Sequence, residues 1–127
     1  MPIMNPILQA QTNHKSIRQY TEQAIDEALL KLLIQSAQGA ASSSFIQAYS
    51  LVQVTNKDNR QKIATLAGGQ KWVESAPEFF IICADLTRVE YCSLEQDLGE
   101  LEGNTEHFIA ATTDATFFAQ NLMLGAE

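Results

Sequence analysis

The chain has 127 residues, 46% of them hydrophobic and 18% charged, enough apolar material for one packed domain and unlike the composition of a disordered segment. A net charge of −7 argues against a nucleic-acid partner, because a phosphate backbone calls for clustered Lys and Arg. No run approaches the roughly eighteen apolar residues of a membrane helix, and the opening MPIMNPILQAQTNHK lacks the basic start, apolar run and small-residue cleavage site of a leader. Cys83 and Cys92 are too few for a disulfide framework, so a reducing, cytoplasmic setting is expected, with no membrane association.

Residues 25–37 are predicted as a helix, with Ile25, Leu29, Leu32, Leu33, Ser36 and Ala37 recurring at three and four. Asp26 is placed to cap it and Gly39 to end it. A small, polar loop follows through Ser44. Residues 47–55 then alternate as a strand, Val52 and Val54 on one face, Tyr49 and Leu51 on the other. Residues 58–67 read as a short helix with Ile63, Leu66 and Ala67 inward, stopped by Gly68 and Gly69, and residues 70–76 as a further turn or two closed by Pro77. The run EFFIICA at 78–84 suits a central strand covered on both sides. The acidic stretch 88–106 is expected to be a solvated loop or marginal helix. From about Thr105 onward the chain is predicted helical, with Phe108, Ala111, Thr112, Ala115, Phe118, Ala119, Leu122 and Met123 on one stripe. Two good strands among helices give an α+β or α/β class. The last helix reaches Glu127 with only Gly125 as a stop signal, so the chain reads as truncated.

The most informative segment is His14-Lys15-Ser16-Ile17-Arg18. It concentrates two of eight Lys and Arg and one of two His within five positions. If extended, His14, Ser16 and Arg18 point to one side; if helical, His14 and Arg18 share a face. Either way a hydroxyl and cationic donors converge, as a phosphate monoester requires. Composition alone favours a plain solvated basic turn. It likewise makes the serines a flexible loop, the glycine pair a helix stop, and Trp72 and Phe79 core residues. His107 beside Glu106 has no second ligand at metal spacing, and neither a nucleophile-elbow, a GxGxxG nor a Walker pattern occurs.

The order of motifs resembles the nitroreductase family, of the NADPH-dependent nitroreductase and NADPH–flavin oxidoreductase type. His14-Lys15-Ser16-Ile17-Arg18 with Tyr20 close behind is similar to that family's opening His-Arg-Ser-Ile-Arg and aromatic residue. Ser42, Ser43 and Ser44 with Phe45, Ile46 and Gln47 resemble its serine run, Gly68-Gly69-Gln70-Lys71 its Gly-Gly-Gln-Lys turn, and residues 78–85 its central strand. The likeness extends to the helix containing Ala119, Gln120 and Asn121 and is weakest over 88–106. Lys15 departs from the family's Arg, giving a point charge in place of a fork.

The resemblance implies an α+β fold, a nitroreductase-like mixed sheet flanked by helices, of which residues 1–127 are the amino-terminal part. It implies that His14, Lys15, Ser16 and Arg18 hold the FMN phosphate, that Ser42, Ser43 and Ser44 line the flavin from the partner subunit of a homodimer, and that Gln70 bonds the polar ring edge. It further implies electron transfer from NADPH to a small-molecule acceptor: a nitroaromatic, quinone or flavin. No side-chain acid or base and no metal is assigned. The family's second half, with another basic pair, a glycine-containing stretch and arginines for NADPH, is not in this sequence. The rival reading is a non-catalytic half-domain that binds flavin or serves as an interaction module.

Overall fold

A computed structural model describes residues 4–127; the first three residues of the opening segment read above for a leader lie outside them. The first element is a helix absent from the sequence reading, α1 (Pro6–Asn13). Its signals are local. The Asn5 side chain accepts from the Leu8 N–H at 2.9 Å, and proline stands at the first helical position, where its missing N–H costs nothing.

After an irregular stretch comes α2 (Glu27–Ala37), capped as expected by Asp26, which accepts from the Ala28 and Leu29 amides at 2.9 and 3.2 Å. The strands β1 (Tyr49–Gln53) and β2 (Phe80–Ala84) pair antiparallel, Tyr49 opposite Ala84, Leu51 opposite Ile82 and Gln53 opposite Phe80. Between them run α3 (Lys57–Leu66) and the single turn α4 (Trp72–Ser75), and after them α5 (Thr87–Glu95) and the long α6 (Thr105–Ala126). The fold is α+β with helices against a small sheet, as the sequence led one to expect. Among the described residues no helix is long and apolar enough to cross a membrane.

The core forms where α6 crosses the sheet and meets α2. Phe118 is almost wholly buried and its ring stacks on Tyr49, centroids 4.5 Å apart and planes 27° apart. Partial burial raises the Tyr49 hydroxyl above its usual pKa, Arg88 opposing and Asp114 adding to the rise. Ala111 and Ala115 bring the helix close to its neighbours, since neither adds bulk.

Several expected positions turn out otherwise. Leu66 is 87% exposed, not inward, and the buried side of α3 is Ala64 with Arg60. Phe108 is exposed although it continues the α6 stripe. Two five-residue strands span about 17 Å, whereas twenty-two helical residues span about 33 Å, so the sheet cannot cover the whole helix. The run in β2 is not covered on both faces either, for Ile81 faces outward. Half of the acidic stretch forms α5, and residues 96–104 remain irregular, turning through left-handed Asp97 and Gly99.

Asp85, just after β2, starts α5 by accepting from the Thr87 N–H at 2.9 Å, and its other oxygen accepts from the Ser50 hydroxyl across the sheet. These bonds, Ser50 first and Thr87 next, lower its carboxyl from the usual 3.8 to about 2. Because the folded value lies below the unfolded one, the linked stabilisation is complete above pH 3.8 and is lost as the pH falls through about 2. Ser50→Ala is therefore expected to move the Asp85 midpoint upward, read by carboxyl-carbon NMR, and to shift acid unfolding to higher pH. An unmoved midpoint would disprove the assignment.

Candidate functional site

Residues 14–20 form neither helix nor strand, which excludes the helical geometry left open by the sequence. The segment leaves the end of α1 in an irregular course. Both of its sides meet a single hollow of about 670 Å³, so the strict alternation of a strand is lost as well. His14, Lys15, Ser16 and Arg18 all line it, together with Gln70 and residues from the end of α6. The basic cluster and the amide, more than fifty residues apart in sequence, are thus brought together. The volume lies within the range of roughly 300–1,000 Å³ of ordinary ligand sites.

Gln70 reaches the hollow because α3 ends abruptly. Gly68 and Gly69 take left-handed backbone angles, φ 81° and 79°, which residues bearing a Cβ adopt only at a cost. Their turn lets the Gly69 and Gln70 amides both donate to the Ala64 carbonyl, at 2.8 and 3.2 Å, closing the helix end. Trp72 follows at once, and its indole N–H donates to Gln70 Oε1 at 3.0 Å. The Arg18 guanidinium lies over the same indole, 5.9 Å from the ring centroid. Assigning Trp72 to the core therefore needs correction: it is half-buried and forms part of the hollow's wall.

The electrostatics of the hollow favour an anion. Among the described residues neither Lys15 nor Arg18 lies within ion-pair distance of a carboxylate. The acidic group that lines the hollow, Glu127, contacts His14 Nδ1 at 2.5 Å. Two uncommitted cations, a hydroxyl and a neutral amide suit a phosphate at one end and a polar heterocycle at the other. By this test the residues present fit FMN.

The serine loop lies elsewhere in the same chain. None of Ser42, Ser43 and Ser44 lines this hollow; Ser43 lines a separate one with Glu106, Ile109, Ala110 and Thr113. Its backbone is unusual. Ser44, Phe45 and Gln47 all have positive φ, 48°, 57° and 49°, and Phe45 is 82% exposed. Buried Asp114 of α6 holds the loop, accepting from the Ser43 N–H at 2.8 Å and from the Ala48 N–H at 3.1 Å. Arg88 of α5 holds its end, donating to the Gln47 carbonyl at 2.6 Å. The sequence reading assigned no role to Asp114, although it lies three after Ala111 and four before Phe118, on the buried stripe. An acid at such a position signals a backbone partner.

Arg60 is the other supporting residue that sequence reasoning missed. It is buried on α3 and donates to three backbone carbonyls: Val54 at 2.7 Å, Ala76 at 2.5 Å and Pro77 at 3.3 Å. It thereby ties the end of β1 to the segment joining α4 to β2, and so braces the turn that carries Gln70 and Trp72.

Comparison with known proteins identifies the family of the fold. The profile of the Nitroreductase family matches residues 12–127. The chain is 38% identical over 126 residues to FMN reductase (NADPH) of Bacillus subtilis, covering 98% of the chain and 51% of that protein. It is 32% identical over 125 residues to the oxygen-insensitive NADPH nitroreductase of Salmonella typhimurium, covering 98% and 50%. Among solved structures, NADPH:FMN oxidoreductase from Vibrio harveyi, complexed with NAD+, superposes with a TM-score of 0.86 at 33% identity, covering 96% of this chain and 51% of that one. The chain spans about half the length of these relatives. With the profile, the sequence likeness and the fold all in agreement, the chain belongs to the nitroreductase family.

Proposed function

We infer that residues 1–127 are the amino-terminal part of an FMN-dependent oxidoreductase that passes electrons from NADPH to a nitroaromatic, a quinone or a flavin. The observation that carries this reading is the convergence of His14, Lys15, Ser16 and Arg18 with Gln70 on one hollow. Lys15 and Arg18 neutralise the phosphate of FMN, Ser16 adds a hydroxyl donor, His14, whose Nδ1 meets Glu127, completes the cluster, and Gln70 bonds the polar edge of the ring. Bound FMN supplies the redox chemistry itself, accepting a hydride and giving up electrons. The work of this chain is then to orient the ring and balance its charge, and none of its side chains acts as an acid or base. In this reading Ser42, Ser43 and Ser44 approach the flavin from the partner subunit of a homodimer, which accounts for their distance from the hollow of their own chain.

The test is a titration of the chain with FMN and with riboflavin, which lacks the phosphate, followed by flavin fluorescence. FMN is expected to bind at one per chain and more tightly than riboflavin, in a preparation that sediments as a dimer. Arg18→Ala should weaken FMN about tenfold or more, the worth of a charge-assisted bond, while riboflavin changes little. Equal affinity for the two flavins, or an Arg18→Ala variant indistinguishable from wild type, refutes the phosphate assignment. Flavin binding without NADPH oxidation would favour the rival, a binding module with no turnover.

A further inference from the structure

Trp72 touches both functional ends of the hollow. Its indole N–H meets Gln70 Oε1 at 3.0 Å, and its face lies under the Arg18 guanidinium, 5.9 Å from centroid to Cζ. An indole nitrogen can only donate, so the Gln70 atom facing it must be the carbonyl oxygen. The amide is thereby prevented from flipping, and Nε2 is left with two hydrogens to donate. The cation–π contact with the indole likewise favours one placement of Arg18, an otherwise exposed and rotamer-rich side chain.

We propose that Trp72 is a positioning residue for this site, locking Gln70 as a donor toward the ligand and aligning Arg18 for its anion. The inference rests on the flavin reading and deepens it by assigning polarity to the ring contact. The ligand edge that meets Gln70 must be an acceptor, a carbonyl oxygen or an unprotonated ring nitrogen, and not an N–H. The two contacts are separable. Phenylalanine keeps an aromatic face beneath Arg18 and removes the N–H, whereas leucine removes both.

Trp72→Phe is expected to weaken FMN and riboflavin alike, about three- to tenfold, the cost of leaving one polar side chain free to rotate. In a Gln70→Ala background the same substitution should have no further effect, because its partner is gone. Trp72→Leu should add a loss for FMN that riboflavin does not share, since only the phosphate needs Arg18. Additive losses for Trp72→Phe and Gln70→Ala overturn the proposal.

A second measurement needs no ligand. Trp72 is the only tryptophan, so the unliganded chain has one indole N–H resonance. Gln70→Ala should move that resonance and speed its exchange with water. An indole signal indifferent to Gln70→Ala overturns the lock whatever the flavin titration yields. A responsive indole in a chain that ignores FMN would retain the lock and refute the flavin reading.

Discussion

Asp114→Ala is expected to destabilise the chain by about 3 kcal/mol and to release the serine loop before the rest of the fold gives way. Asp114 is 1% exposed, and each of its oxygens accepts one backbone amide, from Ser43 and from Ala48. Charge-assisted bonds of this kind contribute about 1.5–3 kcal/mol each. The sum is discounted because Ser43 is exposed and its freed amide can turn to water, whereas Ala48 is fully buried and cannot. The loop also carries three non-glycine residues at positive φ, a conformation that costs of order 1 kcal/mol or more apiece and lasts only while something holds it. Alanine removes the hold and lets the strain relax. Urea unfolding would measure the loss. Amide exchange would locate it, the Ser43 and Ala48 protons exchanging far faster in the variant. Asp114→Asn keeps the shape and one accepting oxygen, and should lose roughly half as much. Unchanged protection of the Ala48 amide in Asp114→Ala would show that the loop is held by other means.

Arg60→Met is expected to cost a similar amount, about 2–4 kcal/mol, with its effect centred on the Gln70 turn. The methionine stem replaces the packing of the arginine stem, so the change isolates the guanidinium. Three carbonyls lose their donor, those of Val54, Ala76 and Pro77. No carboxylate pairs with Arg60 among the described residues, so its charge is balanced by backbone dipoles alone. Because those carbonyls come from two separate segments, a planar fork serves where a point charge would not. Arg60→Lys is therefore expected to recover less than half of the loss, measured by urea denaturation. The Trp72 fluorescence should shift as well, since Ala76 and Pro77 directly follow the turn that carries it. A lysine variant as stable as wild type would argue that charge, not geometry, matters at this position.

The segments whose structure depends on near neighbours were legible in the sequence. Asp26 caps α2 through amides two and three residues away, and the helix periodicity of residues 25–37 needs no distant partner. The same holds for the strand character of β1, although its burial does not alternate as expected, Val52 being exposed and Val54 buried, and for the stop after α3, where two glycines supply the only comfortable backbone. The helix α1 was equally local and was overlooked, although Asn5 followed by Pro6 is a recognisable start. The four expected phosphate ligands were readable as a cluster because they are adjacent in the chain, while their family resemblance supplied the ligand.

What composition and periodicity determined, then, was a class of either α+β or α/β, most helix and strand positions, and the basic segment 14–18, the family resemblance narrowing the class to α+β. Which faces are covered was decided only by tertiary structure: Leu66, Ile81 and Phe108 belong to apolar runs yet stay exposed, because two short strands cannot cover every apolar side chain. The contacts of Trp72, Asp114 and Arg60 arise at the same level. Asp114 meets an amide 71 residues away, and no local pattern encodes a bond across that distance. Trp72 looks like any buried aromatic until the chain folds its indole against Arg18 on one side and Gln70 on the other. Propensity and capping act within a few residues, whereas a binding hollow exists only where distant segments converge.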